Sequence, residues 1–195
     1  MSDLARFYAY ARAFEVAVLT DDWTLLEPFF TPDAEHRVVG PAPFACDDRG
    51  RDAVIAGLRA SVDRIERRCD ARIPEVIAGP EIRTEGIWMR FGVGLRHAGL
   101  ADLWFEGEHV VAMREGRIAR IDEQMDPASS AAAAAWLREH AARLHPVGTR
   151  TLPSDPAHLA ALEDARGRTL ARLHAVAKGL RDAPAVREVG LEAGA

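Results

Sequence analysis

The chain has 195 residues, 48% hydrophobic and 28% charged, which fits one globular domain or one domain plus an appendage and excludes disorder over most of its length. With 25 basic and 30 acidic residues the net charge is −5, so an unspecific grip on nucleic acid or on an anionic membrane is not expected. Two cysteines without CxxC spacing and seven scattered histidines without an HExxH or finger pattern indicate neither a disulfide framework nor zinc, and no metal or cofactor is expected.

Leu4, Phe7, Ala11, Phe14 and Val18 recur at steps of three and four, predicting an amphipathic helix over 3–20. Residues 1–6 carry no basic-then-apolar leader pattern and no window is apolar enough to span a membrane, so a cytoplasmic location is expected. Asp21-Asp22 can cap a short second helix from Trp23 to Phe30, and Thr31-Pro32-Asp33 is expected to break it. A strand over 34–40, a Pro-rich connector and a third amphipathic helix over 51–69 follow. From 71 to 125, β-branched and aromatic runs are split by Gly79-Pro80, His97-Ala98-Gly99 and Arg114-Glu115-Gly116. This predicts an antiparallel meander near 72–79, 82–96, 101–113 and 117–125. Asp126 can cap, and Pro127 can open, an alanine-rich helix reaching about Leu144. The main domain is drawn as 1–145. A C-terminal helical extension, 146–195, has a seam of Leu159, Leu162, Leu173, Val176 and Leu180 before a frayed end.

Strand parity then identifies polar residues on apolar faces, because alternate side chains point to opposite sides of a sheet. Glu123 shares a face with Ala119, Ile121 and Met125. His109 shares one with Phe105, Val111 and Met113, and His36 one with Ala34 and Val38. A carboxylate and imidazoles in one apolar enclosure have shifted proton affinities, as an acid/base pair requires. Each could equally be a satisfied core residue. Arg90 falls on the parity opposite to Met89, Phe91 and Val93, which puts it outside, although Gly92 and Gly94 on its side could mark a bulge that inverts the alternation. The group Arg64, Glu66, Arg67 and Arg68 reads as a solvated helix face. Cys46 has no base adjacent in sequence. Tyr8, Tyr10 and Trp23 read as core or pocket wall.

The segments Asp22-Trp23 through Phe29-Phe30-Thr31-Pro32-Asp33-Ala34, then Gly50-Arg51-Asp52-Ala53-Val54, then Glu115-Gly116-Arg117-Ile118 with Asp126-Pro127, resemble the SnoaL-like branch of the nuclear transport factor 2-like superfamily over about residues 3–143. The resemblance implies an α+β fold, a cone-shaped, curved mixed sheet wrapped around the N-terminal helices with an apolar pocket. The extension would be an extra C-terminal element. Members similar to ketosteroid isomerase use a helix-one tyrosine and a first-strand aspartate where this chain has Phe14 and Val38, which disfavours that chemistry. Members resembling limonene epoxide hydrolase place an arginine and an acid where this chain has Arg90 and Gly92, and a further acid at Glu123. SnoaL-like cyclases pair a final-strand carboxylate with histidine, and Glu123 with His109 is similar in kind. On this resemblance Arg90 lines the pocket.

Two functions follow as expectations. One is a cofactor-free isomerase, cyclase or hydrolase/dehydratase acting on a small apolar metabolite that bears a carbonyl or epoxide. Glu123 and His109 would handle the proton, Arg90 or His36 would stabilise an oxyanion, and Phe14, Val38, Phe105 and Met125 would form the walls. The other is a noncatalytic ligand-binding or assembly module on the same fold. The resemblance also implies a homodimer, with neither nucleic acid nor membrane as partner.

Overall fold

A computed structural model describes residues 2–149. Helix α1, Asp3–Thr20, starts where the Ser2 hydroxyl accepts the Ala5 N–H at 3.3 Å and stops at Asp21, whose φ of 60° is left-handed. Its buried residues Leu4, Phe7, Tyr10, Ala17 and Val18 follow the predicted stripe. Asp22 caps a 3-10 turn, Trp23–Phe29, through the Thr24 N–H at 3.2 Å.

The 3-10 turn ends before Thr31-Pro32-Asp33 as expected, but these residues already lie inside β1, Phe30–Val39, which starts earlier than the expected strand over 34–40. Pairing to β6 (Arg117–Met125) jumps from Phe30 to Glu35, so Pro32, which has no N–H, is asked for no ladder bond. The sequence also concealed β2, Cys46–Arg49, a four-residue edge strand antiparallel to β1. The expected helix over 51–69 is α2, Arg51–Arg64, followed by a separate 3-10 turn, Glu66–Arg68.

In that turn Arg67 is fully buried, not part of a solvated face. Its guanidinium donates to Asp21 and Asp63 carboxylates, each at 2.8 Å, and to the Val18 carbonyl at 2.6 Å. The last turn of α1 has carbonyls without helical partners, and Arg67 supplies their donors while neutralising two acids.

Strand β3, Ala71–Arg83, runs straight through Gly79-Pro80, which was read as a turn. The pair instead sits at a register shift between Ala78 and Glu81, and the reversal comes at Thr84-Glu85, before β4, Gly86–Arg96. β5, Leu103–Arg114, and β6 form the expected hairpin around Glu115-Gly116, both at positive φ. Helix α3, Pro127–Glu139, opens as expected, with the Asp126 carboxylate accepting the Ser129 N–H at 2.8 Å.

The six strands lie in the order β2-β1-β6-β5-β4-β3, and β1–β6 is the parallel pair. The same inward face carries two apolar clusters: one under α1, α2 and the first 3-10 turn, the other under Phe44 and α3. Leu144 is buried and the His145 N–H donates to the Arg68 carbonyl at 3.0 Å, so the core reaches at least residue 145. The helical seam expected beyond it lies outside the described residues. No helix among the described residues is long and apolar enough to cross a membrane.

Candidate functional site

Strand registers bring the three predicted polar residues together on one face, His109 and Glu123 as a pair and His36 diagonal to them. His109 of β5 is directly opposite Glu123 of β6, which lies beside Val38 of β1 with His36 one inward position away. The group extends to Met89 of β4 on one side and to Asp48 of β2 on the other. Ala34, Ile121, Val111 and Ile87 lie on one side of it and belong to the first apolar cluster. Val38, Met125, Phe105 and Val93 lie on the other and belong to the second. The polar residues therefore lie at the boundary between the two apolar clusters, with Ile121 and Val38 as the register partners of His36 and Glu123.

The side chains are held from both sides. The His109 ring stands between Phe7, edge-on at 5.8 Å, and Phe91 at 5.6 Å between centroids, and its Nε2 is buried with no hydrogen-bond partner among the described residues. His36 is 4% exposed; its Nε2 lies 3.9 Å from the Glu123 Oε2, and its Nδ1 lies 3.7 Å from the Cys46 Sγ. At 3.9 Å the imidazole and carboxylate interact through charge and not through a hydrogen bond. Glu123 keeps 20% of its side-chain exposure although Ile121 and Met125, two residues away on either side, are sealed. The Glu123 side chain is therefore more open than that of His36, at 4%.

This arrangement separates the proton affinities of the two imidazoles. Burial alone would lower His36, but the contacts with Cys46 and Glu123 outweigh it and push the imidazole up to about 10. His109 is held below its ordinary 6.5, because burial outweighs the attraction of Glu123 and the His36 charge adds to the lowering. Burial, then the charges of Glu123 and Glu15, raise the Tyr10 phenol, so the α1 hydroxyl stays protonated within range of the Glu123 charge. A cationic imidazole, a neutral one and a neutral phenol around one carboxylate are the parts of an acid/base centre.

Arg90 does not belong to it. The simple alternation of β4 holds, and the resemblance-based placement in the pocket is overturned. Arg90 is on the outer face, its side chain 48% exposed and paired with Glu106 at 2.6 Å. Gly92 and Gly94 mark no inversion. They make room on that outer face for the Trp104 indole, which a Cβ at Gly92 would strike, while the Trp104 Nε1 donates to Glu106 at 2.8 Å. Of the expected walls, Val38 adjoins Glu123 directly, whereas Phe105 and Met125 lie in the second cluster, Phe105 against Phe44 at 5.1 Å. Phe14 packs on Trp23 and Tyr10. Phe7 and Phe91 are wall residues that parity did not single out as ligand-facing. A depression of about 370 Å³ at this level of the sheet is bordered by His109 and Glu123 together with Arg37, Val39, Glu108, Val110, Asp122 and Gln124. The last six have the parity opposite to His36, Glu123 and His109, and so they line the outer face.

No protein-family model matches the sequence, and no curated protein matches it by sequence search. Solved structures do match it by shape. An inferred isomerase from Rhodopseudomonas palustris superposes with a TM-score of 0.53 at 16% identity, covering 70% of this chain and 98% of the other. The protein Bal32a, from a soil-derived mobile gene cassette, superposes with a TM-score of 0.50 at 16% identity over 66% of this chain and 95% of its own. A nuclear transport factor 2-like protein from Burkholderia xenovorans gives 0.48 at 18% identity over 66% and 95%. The chain has the nuclear transport factor 2-like fold. At these identities the likeness extends to architecture and not to reaction.

Proposed function

We propose that the chain is a SnoaL-like enzyme that moves a proton on a small, mostly apolar carbonyl compound, with Glu123 as the acid/base. The observation that carries this reading is the grouping of His36, Glu123 and His109 between two apolar clusters, with the Glu123 side chain still 20% exposed. In the step proposed, a C–H proton next to the carbonyl passes to the Glu123 carboxylate and the bond's electron pair moves onto the carbonyl oxygen. Return of the proton at a different carbon completes an isomerisation; carbon–carbon bond formation before its return completes a cyclisation. The His36 cation favours the charged carboxylate that starts the cycle. Neutral His109 can accept and return the proton, and the Tyr10 phenol can donate to developing oxyanion charge. Phe7, Phe91, Met89 and Val38 supply apolar wall around the group.

Solvent deuterium exchange tests the proposal without knowledge of the natural substrate. A panel of cyclic ketones and enones incubated with the protein in D₂O is followed by mass spectrometry for exchange at the carbon next to the carbonyl. Exchange is expected with some panel members and is expected to be lost in Glu123→Gln, whose thermal midpoint should stay within a few degrees of the parent. Undiminished exchange in a folded Glu123→Gln would remove Glu123 from the role. Binding of panel members by the parent protein without any exchange would favour a noncatalytic binding module.

A further inference from the structure

The face of His36 turned away from Glu123 has a composition that proton transfer does not use. The His36 Nδ1, the Cys46 Sγ and the Asp48 Oδ2 converge at the β1–β2 edge: Nδ1 lies 3.7 Å from the thiol and 3.9 Å from the carboxylate oxygen, and all three atoms lie within 4.8 Å of one another. We propose that these three atoms form a binding site for a divalent transition-metal ion of the zinc type, with Glu123 behind His36 as its orienting carboxylate. Tetrahedral zinc at its usual bond lengths to nitrogen, sulfur and oxygen sets its ligand atoms about 3.3–3.6 Å apart, so the two distances to Nδ1 need to contract by only about half an ångström or less and the thiol-to-carboxylate distance, now within 4.8 Å, by up to about 1 Å.

Three further features point to a ligand there. The Asp48 Oδ2 is buried and has no hydrogen-bond partner among the described residues, although it faces an imidazole that is itself sealed from solvent. Gly57, in the middle of α2, is the position at which any Cβ would collide with that same carboxylate. Glycine inside a helix is unfavourable by about 1 kcal/mol relative to alanine; here it admits the Asp48 side chain to the space opposite Nδ1. Finally, Glu123 lies on the Nε2 side at 3.9 Å, so that closing this gap to hydrogen-bond length on metal binding would give the carboxylate–histidine–metal order common around such ions. Three protein ligands leave a fourth position for water or a substrate atom.

A nucleophilic Cys46–His36 pair would use two of the same atoms, but it would give Asp48 no role, and the Asp48 charge opposes a thiolate unless a cation lies between them. The other candidate cluster, Asp70, His97 and His145, is already satisfied: the Asp70 oxygens accept from the His145 Nε2 at 2.7 Å and from the Ala98 N–H at 2.6 Å. The site goes beyond the proton-transfer reading and does not depend on it. A metal on Nδ1 replaces a proton there and keeps a positive centre beside Glu123, so both can hold together.

The test is titration of the reduced, chelator-treated full chain with Co²⁺. Saturation at one equivalent is expected, with thiolate-to-cobalt charge-transfer absorption in the near ultraviolet and displacement by Zn²⁺. Cys46→Ser should abolish the band. Asp48→Asn should weaken Co²⁺ binding at least about 10-fold, and Gly57→Ala, which removes no ligand atom, should do the same by displacing the carboxylate. Zn²⁺ should slow alkylation of Cys46 and leave the fully buried Cys69 unaffected. Absence of the band in the folded parent, unchanged affinity in both Asp48→Asn and Gly57→Ala, or loss of the band in His145→Ala but not in Cys46→Ser would overturn the proposal. The cobalt readout is independent of deuterium exchange, so either reading can fail while the other stands.

Discussion

Removing the charge of Glu123 while keeping its shape, as Glu123→Gln does, should lower both imidazoles of the group. The carboxylate lies 3.9 Å from the His36 Nε2. At an effective dielectric constant of about 20, an opposite charge at that distance contributes about 4 kcal/mol, or about three pH units. That is a large part of what lifts the buried imidazole from 6.5 to about 10, and the contact with Cys46 supplies the rest against desolvation. The other groups facing His36 are Cys46 and Asp48, both on β2; they remain in the variant and hold part of the shift. In metal-free protein, the His36 midpoint is therefore expected to drop by one to about three units. His109 loses its only raising influence and should fall further below 6.5. Two-dimensional NMR of the imidazole nitrogens across pH 4–11 reads both midpoints and both tautomers. The direction of the His109 shift decides between explanations, since a loosened fold would return it upward toward 6.5. A His36 midpoint unchanged in Glu123→Gln, or a His109 midpoint that rises, would refute the electrostatic account of the group.

Three further outcomes follow from the same geometry. The raised His36 pKa contributes stability that is fully present below its unfolded value of 6.5 and is lost as pH climbs through about 10; the lowered His109 pKa subtracts stability as pH falls below 6.5. Urea midpoints of metal-free protein should thus fall from pH 7 to pH 9.5, and His36→Asn should flatten that limb; equal midpoints in the parent would contradict it. Arg67→Met should cost about 3–5 kcal/mol, on the order of 10 °C in Tm, because it removes the buried cation held between Asp21 and Asp63 and the donor to the end of α1. A loss under 1 kcal/mol in a urea melt would show that Arg67 is not a structural tie. Arg90→Ala, at a half-exposed pair with Glu106, should change stability by less than about 1 kcal/mol and leave deuterium exchange intact; lost exchange would return Arg90 to the site.

Legibility in the sequence followed the range of the interaction concerned. The stripe of α1, the Asp126-Pro127 start of α3 and the Glu115-Gly116 hairpin are set by neighbours within about four residues, and each was readable. Parity also gave the inward direction of His36, His109 and Glu123, because a strand's alternation is local. It could not give their grouping, which depends on the β1–β6 parallel register between segments some eighty residues apart. Strand β2 was hidden for a related reason: Cys46–Arg49 has no apolar alternation, and its pairing to β1 across a Pro-rich connector defines it. That pairing is also what carries Cys46 and Asp48 to His36. Arg67 was misassigned because a charge run looks solvated until its acids, Asp21 and Asp63, arrive from two other places in the chain. Gly92 misled in the opposite sense, since a glycine in a strand signals a close approach without saying from which face; here the neighbour is Trp104 on the outside.

The choice between a catalytic group and a merely structural one rests on what the group leaves unspent. A histidine kept for packing is normally satisfied at both nitrogens, and an unsatisfied buried polar atom costs about 1–3 kcal/mol. Here the His36 Nε2 and the His109 Nε2 are both buried without hydrogen-bond partners among the described residues, and both belong to residues flanking one carboxylate. Aliphatic side chains at these positions would join the two clusters into a single core of the kind already formed on either side by Ala34, Ile121 and Val111, and by Val38, Met125 and Phe105. The group therefore weakens the fold relative to an apolar alternative that the same strands accept two residues away in each direction. A cost of that kind, repeated on adjacent strands around one partly exposed carboxylate, is what the proposed proton-transfer site would require and what core packing alone does not.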